Sequence, residues 1–385
     1  MPHELAAPPY GTSSLSDLMP AVARSLDVEV APAGPGLAGA LRLAPTARAC
    51  VLLVDGLGDL LLRERAGHAP FLRSQLGRVA TISAGFPTTT ATSMGSLGTG
   101  LPPGAHGLVG YEVLVPERDE LLNELSWEPA VDPRRWQRET TVLQHVAAAG
   151  VEVVRIGPGF FDGSGLTEAA LRGGRFVAAT TLDDRVDAAL AALRSSPRTL
   201  VYVYWGDVDK VGHVEGCGSW QWGEELAKVD LAIRRLVAGL PRDATLHVTA
   251  DHGMVDVPHH QRLDVAHEPD LAAGVRHVGG EPRCPQLYCE IGQVEAVLAA
   301  WADRLAGRAD VVTREHAVAA GWFGQVAAHV SARIGDVIVV CGPGAAVVDS
   351  RRARPQVLRL LGLHGALTPE EALVPLLTVS GSDRG

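Results

Sequence analysis

The sequence contains no run of 18 consecutive apolar residues, the length that predicts a membrane-crossing helix. It also has no basic segment followed by an apolar run near its start, so we expect no secretory signal and a cytoplasmic location. Its five cysteines are odd in number and form no Cys-x-x-Cys pair. Because disulfides are rare in the cytosol, we expect reduced and mostly buried thiols. The missing apolar run also leads us to expect no membrane partner.

The sequence has fewer basic than acidic residues, with 34 Lys and Arg against 44 Asp and Glu and a formal net charge of -10. This balance argues against nucleic-acid binding, which needs a basic face. It still allows a small anionic substrate, because bound cations would reverse the local charge. Hydrophobic residues make up 46% of the chain and charged residues 20%, so a large core is expected and disorder is not.

Near-continuous aliphatic runs alternate with amphipathic segments, which predicts an α/β protein with a mostly parallel central sheet and helices on both faces. The predicted strands of this sheet are 49–55, 151–157, 199–205 and 245–251, and the predicted helices include 182–194 and 219–239.

The pattern changes after residue 255, where a His-rich loop begins. Predicted strands at 286–292 and 336–342 flank a helix at 293–306, which has its apolar residues on one face. We therefore predict a main domain from 1–255, a smaller α/β insertion from 256–350 and a C-terminal return to the main domain from 351–385.

Three predicted strands are followed by carboxylates. Asp55 and Asp251 close two of them, and Asp207 and Asp209 follow the third. Ligands of open α/β sheets bind beyond the carboxyl ends of the strands, so these side chains should share one edge. Gathered carboxylates repel one another unless cations compensate. A single Asp at a strand end would instead be read as a helix cap.

Two histidines accompany these carboxylates. His213 lies four residues after Asp209, a spacing that puts both side chains on one side of a helix, as a metal chelate requires. His252 directly follows Asp251. Taken singly, any of the 14 histidines is more simply read as a surface or core residue, so only the combination indicates a metal site.

The segment 85–112 is rich in Thr, Ser and Gly and begins a predicted helix. A hydroxyl at a helix N-terminus lies where free N–H groups and the helix dipole favour anions. A Thr hydroxyl becomes a useful nucleophile only when a base or metal activates it. An ordinary Thr-capped helix would show the same composition.

The motifs LVDG, FPTTT followed by GSLGTGLPPGAHG, DVDKVGH, ADHGM and GLHG occur in this order between residues 51 and 365. Together they resemble the alkaline phosphatase superfamily and are most similar to its type I phosphodiesterase/nucleotide pyrophosphatase branch. The resemblance implies an alkaline-phosphatase-like fold for the core, and the segment 256–350 lies where the family carries its cap.

The resemblance further implies a nucleophile, Thr90, and two metal sites. One site would contain Asp55, Thr90, Asp251 and His252, and the other Asp209, His213 and His364. The implied cofactors are two divalent ions about 3.5–4 Å apart, as in other two-metal hydrolases. Mixed His and Asp ligands suit zinc, and manganese is an alternative.

The sequence departs from the family after the nucleophile, where Ala91-Thr92-Ser93 replaces Phe-Pro-Asn. One aromatic platform for a nucleoside base is therefore missing, although Tyr204 stands where the second often lies. Tyr111 aligns with the family's Asn that donates to a phosphoryl oxygen. Both tyrosines are candidate substrate contacts, and a nucleotide is one candidate among small phosphate esters.

These motifs together predict metal-dependent hydrolysis of phosphodiester or nucleotide pyrophosphate bonds through a phospho-threonine on Thr90. One alternative is a phosphomonoesterase or phosphonate hydrolase of the same superfamily. A third possibility is a non-catalytic protein that binds metal or nucleotide. The sequence leaves the natural substrate and the oligomeric state open.

Overall fold

A large central sheet organises the fold. Within residues 6–30, 40–128 and 131–383, which the computed structural model describes, this sheet has seven strands. Five neighbouring strands run parallel, and Leu373–Ser380 runs antiparallel between them and an edge strand. In order across the sheet the strands are Val79–Ser83, Leu373–Ser380, Ala244–Thr249, Arg48–Val54, Thr199–Trp205, Glu152–Gly157 and Arg175–Ala178.

The central strands form where the sequence is most continuously aliphatic. Arg48–Val54 is buried from its second residue onward, and Ala244–Thr249 is buried throughout. Burial of both strand faces explains why these runs do not alternate between polar and apolar residues. The predicted mostly parallel α/β architecture is therefore confirmed.

Helices cover both sheet faces. Those of six or more residues in the described ranges are Leu15–Ser25, Asp59–Glu64, Pro70–Gln75, Thr90–Thr99, Val142–Ala148, Gly165–Ala170, Leu182–Ser195, Asp207–Glu215, Trp220–Gly239, Val294–Arg304 and Arg314–Ala319. Shorter ones are Pro103–His106, Pro133–Trp136, Pro269–Ala272, Ala328–Ser331, Pro355–Leu358 and Pro369–Ala372. The predicted helices 182–194 and 219–239 each agree with an observed helix to within one residue at either end.

A second sheet lies in the segment after residue 255 and has a core of its own. Its strands in order are Val275–Glu281, Cys284–Cys289, Val337–Cys341 and Ala309–Thr313, and all pair antiparallel. The Val294–Arg304 helix contributes the fully buried Trp301 to this core. The domain boundaries at 256 and 350 stay a prediction, with these strands and this helix lying between them.

The remaining strands of the described ranges form three short pairs: Glu112–Val115 with Glu120–Asn123, Arg262–Asp264 with Ala346–Val348, and Val255–Asp256 with Gly362–Leu363. All five cysteines are buried free thiols, as the sequence predicts. In the parts of the chain that the structure describes, no helix is both long and apolar enough to cross a membrane.

The strand register brings the acidic strand ends together. Val54 pairs with Trp205, and Leu53 pairs with Thr249, across three adjacent parallel strands. The chain therefore leaves each strand at the same level of the same edge. The candidate functional side chains lie at this edge.

Candidate metal centre and active site

The first cluster of side chains contains Asp55, Asp251 and His252, all fully or almost fully buried. The His252 Nε2 atom lies 3.5 Å from Asp55 Oδ1 and 3.4 Å from Asp251 Oδ2. The backbone N–H groups of Gly56 and His252 donate to the other Asp251 oxygen, at 3.1 and 3.0 Å. Asp251 is thus held with one oxygen bound to the backbone and one facing the cluster.

The second cluster contains Asp209, His213 and His364, which are partly exposed. Asp209 and His213 lie one turn apart on the Asp207–Glu215 helix, with 3.3 Å between Asp209 Oδ2 and His213 Nε2. His364 comes from the C-terminal return, and its Nε2 lies 3.9 Å from Asp209 Oδ1. The short Gly362–Leu363 strand, paired with Val255–Asp256, brings this distant residue to the edge.

The two clusters adjoin one another. The rings of His252 and His364 stack with centroids 3.7 Å apart. Gly56 allows this approach, since a Cβ there would lie 2.9 Å from the Asp209 Cα atom and its φ is +72°. The structure thus brings together all seven sequence-predicted ligand positions, including Thr90.

The backbone fixes the orientation of each histidine. The Nδ1 atoms of His213, His252 and His364 lie 2.7, 3.1 and 2.8 Å from backbone carbonyl oxygens. Because a carbonyl only accepts hydrogen bonds, each Nδ1 carries the proton and donates. Each Nε2 then offers its lone pair to the cluster, as in metal sites whose second ring nitrogen is hydrogen-bonded.

The carboxylates supply direct evidence that a cation fits. Asp55 Oδ1, Asp209 Oδ1 and Asp251 Oδ2 are buried atoms with no hydrogen-bond partner in the described residues. Burial, and then repulsion from Asp251 and Asp209, raises the pKa of Asp55 well above its ordinary value. Burial also raises the pKa of Asp209. Unpaired buried oxygens grouped with imidazole nitrogens are the donor set of a divalent-metal site.

Thr90 is the first residue of the Thr90–Thr99 helix. Its Oγ1 lies 3.3 Å from His252 Nε2, and its side chain is partly exposed. The Ser93 hydroxyl, one turn later, donates to the Asp251 carbonyl oxygen at 2.7 Å and ties the helix to the strand end. The Thr90 hydroxyl therefore lies beside the first cluster and remains within reach of a substrate.

A cavity of about 480 Å³ extends from Thr90. Tyr111 and Tyr204, the predicted substrate contacts, both line it. The Tyr204 hydroxyl also donates to Asp55 Oδ2 at 2.5 Å, so this residue orients a predicted metal ligand as well. Lys210, which the sequence places beside Asp209, is exposed.

Sequence reasoning did not identify several residues of this cavity: Arg155, Phe160, Phe161 and Phe176. One signal was available, because Arg155 interrupts the otherwise apolar run VVRIG of a central strand. The aromatic residues gave no comparable signal, since Phe160 and Phe161 lie in the three-residue 3₁₀ helix Gly159–Phe161 and Phe176 lies in an edge strand.

Comparison with known proteins finds a relative by sequence. An uncharacterised pyrophosphatase/phosphodiesterase of Schizosaccharomyces pombe is 29% identical over 206 residues, a match covering 51% of this chain and 40% of that protein.

Two solved structures share the fold. Inactive murine ectonucleotide pyrophosphatase/phosphodiesterase 5, with a threonine replaced by alanine and in complex with AMP, is 18% identical with a TM-score of 0.68. The alignment covers 86% of this chain and 87% of the murine one. Phosphonoacetate hydrolase of Sinorhizobium meliloti, in complex with phosphonoacetate, is 20% identical with a TM-score of 0.67, covering 86% of this chain and 90% of the other.

The decisive match is to a family model. The model for type I phosphodiesterase/nucleotide pyrophosphatase aligns with residues 49–367. This range includes both clusters and every strand of the central sheet except Leu373–Ser380 and the first residue of Arg48–Val54. This chain therefore belongs to the type I phosphodiesterase/nucleotide pyrophosphatase family.

Proposed function

We propose that the protein hydrolyses phosphodiester or nucleotide pyrophosphate bonds in a metal-dependent reaction, through a phospho-threonine on Thr90. The observation that carries this proposal is the position of Thr90 Oγ1, 3.3 Å from His252 Nε2 and beside carboxylate oxygens without partners. Family membership supports the reaction class. The inactive threonine-to-alanine form of the murine relative supports a threonine nucleophile.

In the proposed reaction, the two clusters hold the metal ions and Thr90 is the nucleophile. Two divalent ions, held by the Asp55 and Asp209 clusters, would supply Lewis acidity to the Thr90 hydroxyl and positive charge to the phosphoryl oxygens. Thr90 Oγ1 loses its proton to solvent and attacks phosphorus, and the bond to the leaving oxygen breaks, so that the leaving group departs with the electron pair and takes up a proton from solvent. Water then attacks the phospho-threonine and loses a proton, the bond between phosphorus and Thr90 Oγ1 breaks, and Oγ1 takes up a proton as the second product leaves.

The chain contributes positioning as well as ligands. Thr90 begins a ten-residue helix, so the free N–H groups of its first turn lie close to the attacked phosphoryl group. The Tyr204 hydroxyl and the backbone N–H groups around Asp251 hold the first-cluster carboxylates in place. Imidazole and carboxylate donors favour zinc, with manganese as the alternative.

Net charge predicts the preferred ester. Two divalent ions bring about +4, Asp55, Asp209 and Asp251 return three negative charges, and a Thr90 alkoxide returns one. This near-neutral site suits a singly charged diester better than a doubly charged monoester. We expect metal-loaded protein to cleave bis-p-nitrophenyl phosphate with at least about tenfold higher kcat/KM than p-nitrophenyl phosphate, or ~1.4 kcal/mol.

The same assay tests the proposed function against its alternatives. Preference for p-nitrophenyl phosphate would indicate a phosphomonoesterase, and cleavage of a phosphonate alone would indicate a phosphonate hydrolase. Metal binding without turnover of any of these compounds would leave a non-catalytic binding protein.

The metal sites should also make stability depend on pH. Asp55 has a raised pKa in the metal-free folded protein, so its stabilising contribution is present below its unfolded pKa of about 4 and is lost as pH rises. A bound cation would stabilise the charged form of Asp55, so the metal-loaded protein should not lose this stability as pH rises. His364, whose pKa burial lowers, is neutral in both folded forms and cancels from the comparison.

We therefore expect the Tm difference between metal-loaded and chelator-treated protein to widen from pH 5 to pH 8. For each proton that metal binding displaces, the unfolding free energies of the metal-loaded and metal-free proteins diverge by about 1.4 kcal/mol per pH unit. Thermal unfolding in matched buffers measures it. A difference that stays constant or narrows as pH rises would argue against cation binding at these carboxylates.

A further inference from the structure

Arg155 is an unusual residue for its position. It lies in the central-sheet strand Glu152–Gly157, among Val153, Val154 and Ile156, and only 8% of it is exposed. Its Nε and one terminal nitrogen are buried and have no hydrogen-bond partner in the described part of the chain. A guanidinium has five donors, and buried ones are normally all satisfied.

Among the described residues, no carboxylate forms an ion pair with Arg155. The negative charges of Asp162 and Glu168 act on Arg155 and raise its pKa, but neither side chain is within ion-pair distance of it. Glu168 pairs instead with Arg134, at 2.8 Å. Arg155 also lies over the Phe176 ring, whose centroid is 5.7 Å from the Arg155 Cζ atom. Burial is the dominant effect and lowers the pKa of Arg155.

The guanidinium faces the substrate cavity. Arg155 and Thr90 line the same space, with Ile156, Phe161 and Phe176 along its walls. These walls are apolar and aromatic, so they suit the organic part of a substrate. An ester attacked at Thr90 can extend its organic group along them towards Arg155.

A purely structural role does not explain this arrangement. An apolar side chain in the strand would pack without desolvating a charge, whereas a buried unpaired ion destabilises the fold. Residues that cost stability are typical of sites that bind ligands. The second terminal nitrogen is not among these buried atoms, so it is the donor that an anion in the cavity can reach, and a guanidinium suits the oxygens of a carboxylate or phosphate.

We propose that Arg155 binds a terminal anionic group, a carboxylate or a second phosphate, on the organic portion of the ester cleaved at Thr90. The proposal rests on the proposed function and narrows its substrate class. The preferred substrate is a phosphate ester with an apolar or aromatic middle section and a second anion at the far end.

Matched diesters test this proposal on metal-loaded protein. Each carries p-nitrophenol as leaving group and a second aryl group with a para carboxylate, phosphonate or neutral carboxamide. We expect kcat/KM to be at least about tenfold higher for the better anionic ester than for the carboxamide, because only the anion is attracted to the Arg155 guanidinium. A tenfold ratio corresponds to ~1.4 kcal/mol of transition-state stabilisation. The ranking of carboxylate and phosphonate identifies the anion that the site prefers.

Substitution of Arg155 supplies the control. Arg155→Gln should reduce the anion-to-carboxamide ratio to about twofold or less, and Arg155→Lys should retain part of it, because lysine keeps the charge without the planar fork. Equal cleavage of all three esters by the wild-type protein would overturn the Arg155 proposal and leave the proposed function standing. A ratio that persists in Arg155→Gln would also overturn it, because the anion would then be bound elsewhere.

Two readouts do not depend on turnover. If no ester is cleaved, the proposed function fails, and calorimetric binding of 4-phenylbutyrate against its amide then tests Arg155 by itself, with the same expected ratio and the same loss in Arg155→Gln. Arg155→Met should raise Tm by about 2 °C, because it removes an unpaired buried charge. A lower Tm would show that Arg155 is already paired within the fold, contrary to the proposal.

Discussion

Thr90→Ala should lower kcat about 10⁴-fold, equivalent to ~5.5 kcal/mol of transition-state stabilisation. The substitution removes the proposed attacking oxygen and leaves the surrounding structure in place. Thr90 is partly exposed, and its one side-chain hydrogen bond in the described structure is the 3.3 Å contact with His252 Nε2. Steady-state kinetics with bis-p-nitrophenyl phosphate, together with elemental analysis, should show lost turnover with almost unchanged metal content.

Two variants make this result specific. Thr90→Ser keeps a hydroxyl group at the same position, without the threonine methyl group, and should retain part of the rate. Thr92→Val is the matched control, because Thr92 lies on the same helix and its buried Oγ1 has no partner in the described residues. It should stay within about threefold of wild type. Near-wild-type activity of Thr90→Ala would remove Thr90 from the mechanism and make Thr89 the next hydroxyl to test.

The first cluster was accessible from sequence because parallel strands impose simple geometry. Asp55 and Asp251 each follow a run of apolar residues long enough to identify a buried strand. The parallel register then places both at one edge with little freedom. Asp209 and His213 were equally accessible, since helical spacing determines their relation.

Other parts of the site depend on tertiary contacts that no local pattern encodes. His364 reaches the second cluster only because the chain returns from the second sheet and pairs Gly362–Leu363 with Val255–Asp256. Without the motif match, nothing in its neighbourhood identifies it as a ligand. The hydrogen bond from Tyr204 to Asp55 likewise depends on the register of neighbouring strands. The sequence suggested a substrate contact for Tyr204, and the structure adds a bond to a predicted metal ligand.

Removal of the cations should have the largest effect, because both the nucleophile and the fold would depend on them. Chelation should abolish turnover and lower Tm by at least about 5 °C. A ligand whose free concentration is about a thousand times its Kd stabilises the folded protein by ~4 kcal/mol, and chelation removes this contribution for each ion. Re-addition of zinc or manganese should restore both, and the better ion identifies the preferred metal. Full activity of protein shown by elemental analysis to be metal-free would refute the mechanism.

Substitution of one ligand should separate the two sites. His364→Ala removes an Nε2 donor from the Asp209 cluster and leaves the Asp55 cluster and Thr90 in place. We expect metal content to fall from about two ions to about one and kcat to fall about 10³-fold, because one cation would no longer stabilise the transferring group. His145→Ala, at an exposed position on the Val142–Ala148 helix, should change neither quantity. If His364→Ala retained two ions and the full rate, the second cluster would not be a metal site. The expected preference for diesters would then lose its basis, because it counts one divalent ion in that cluster.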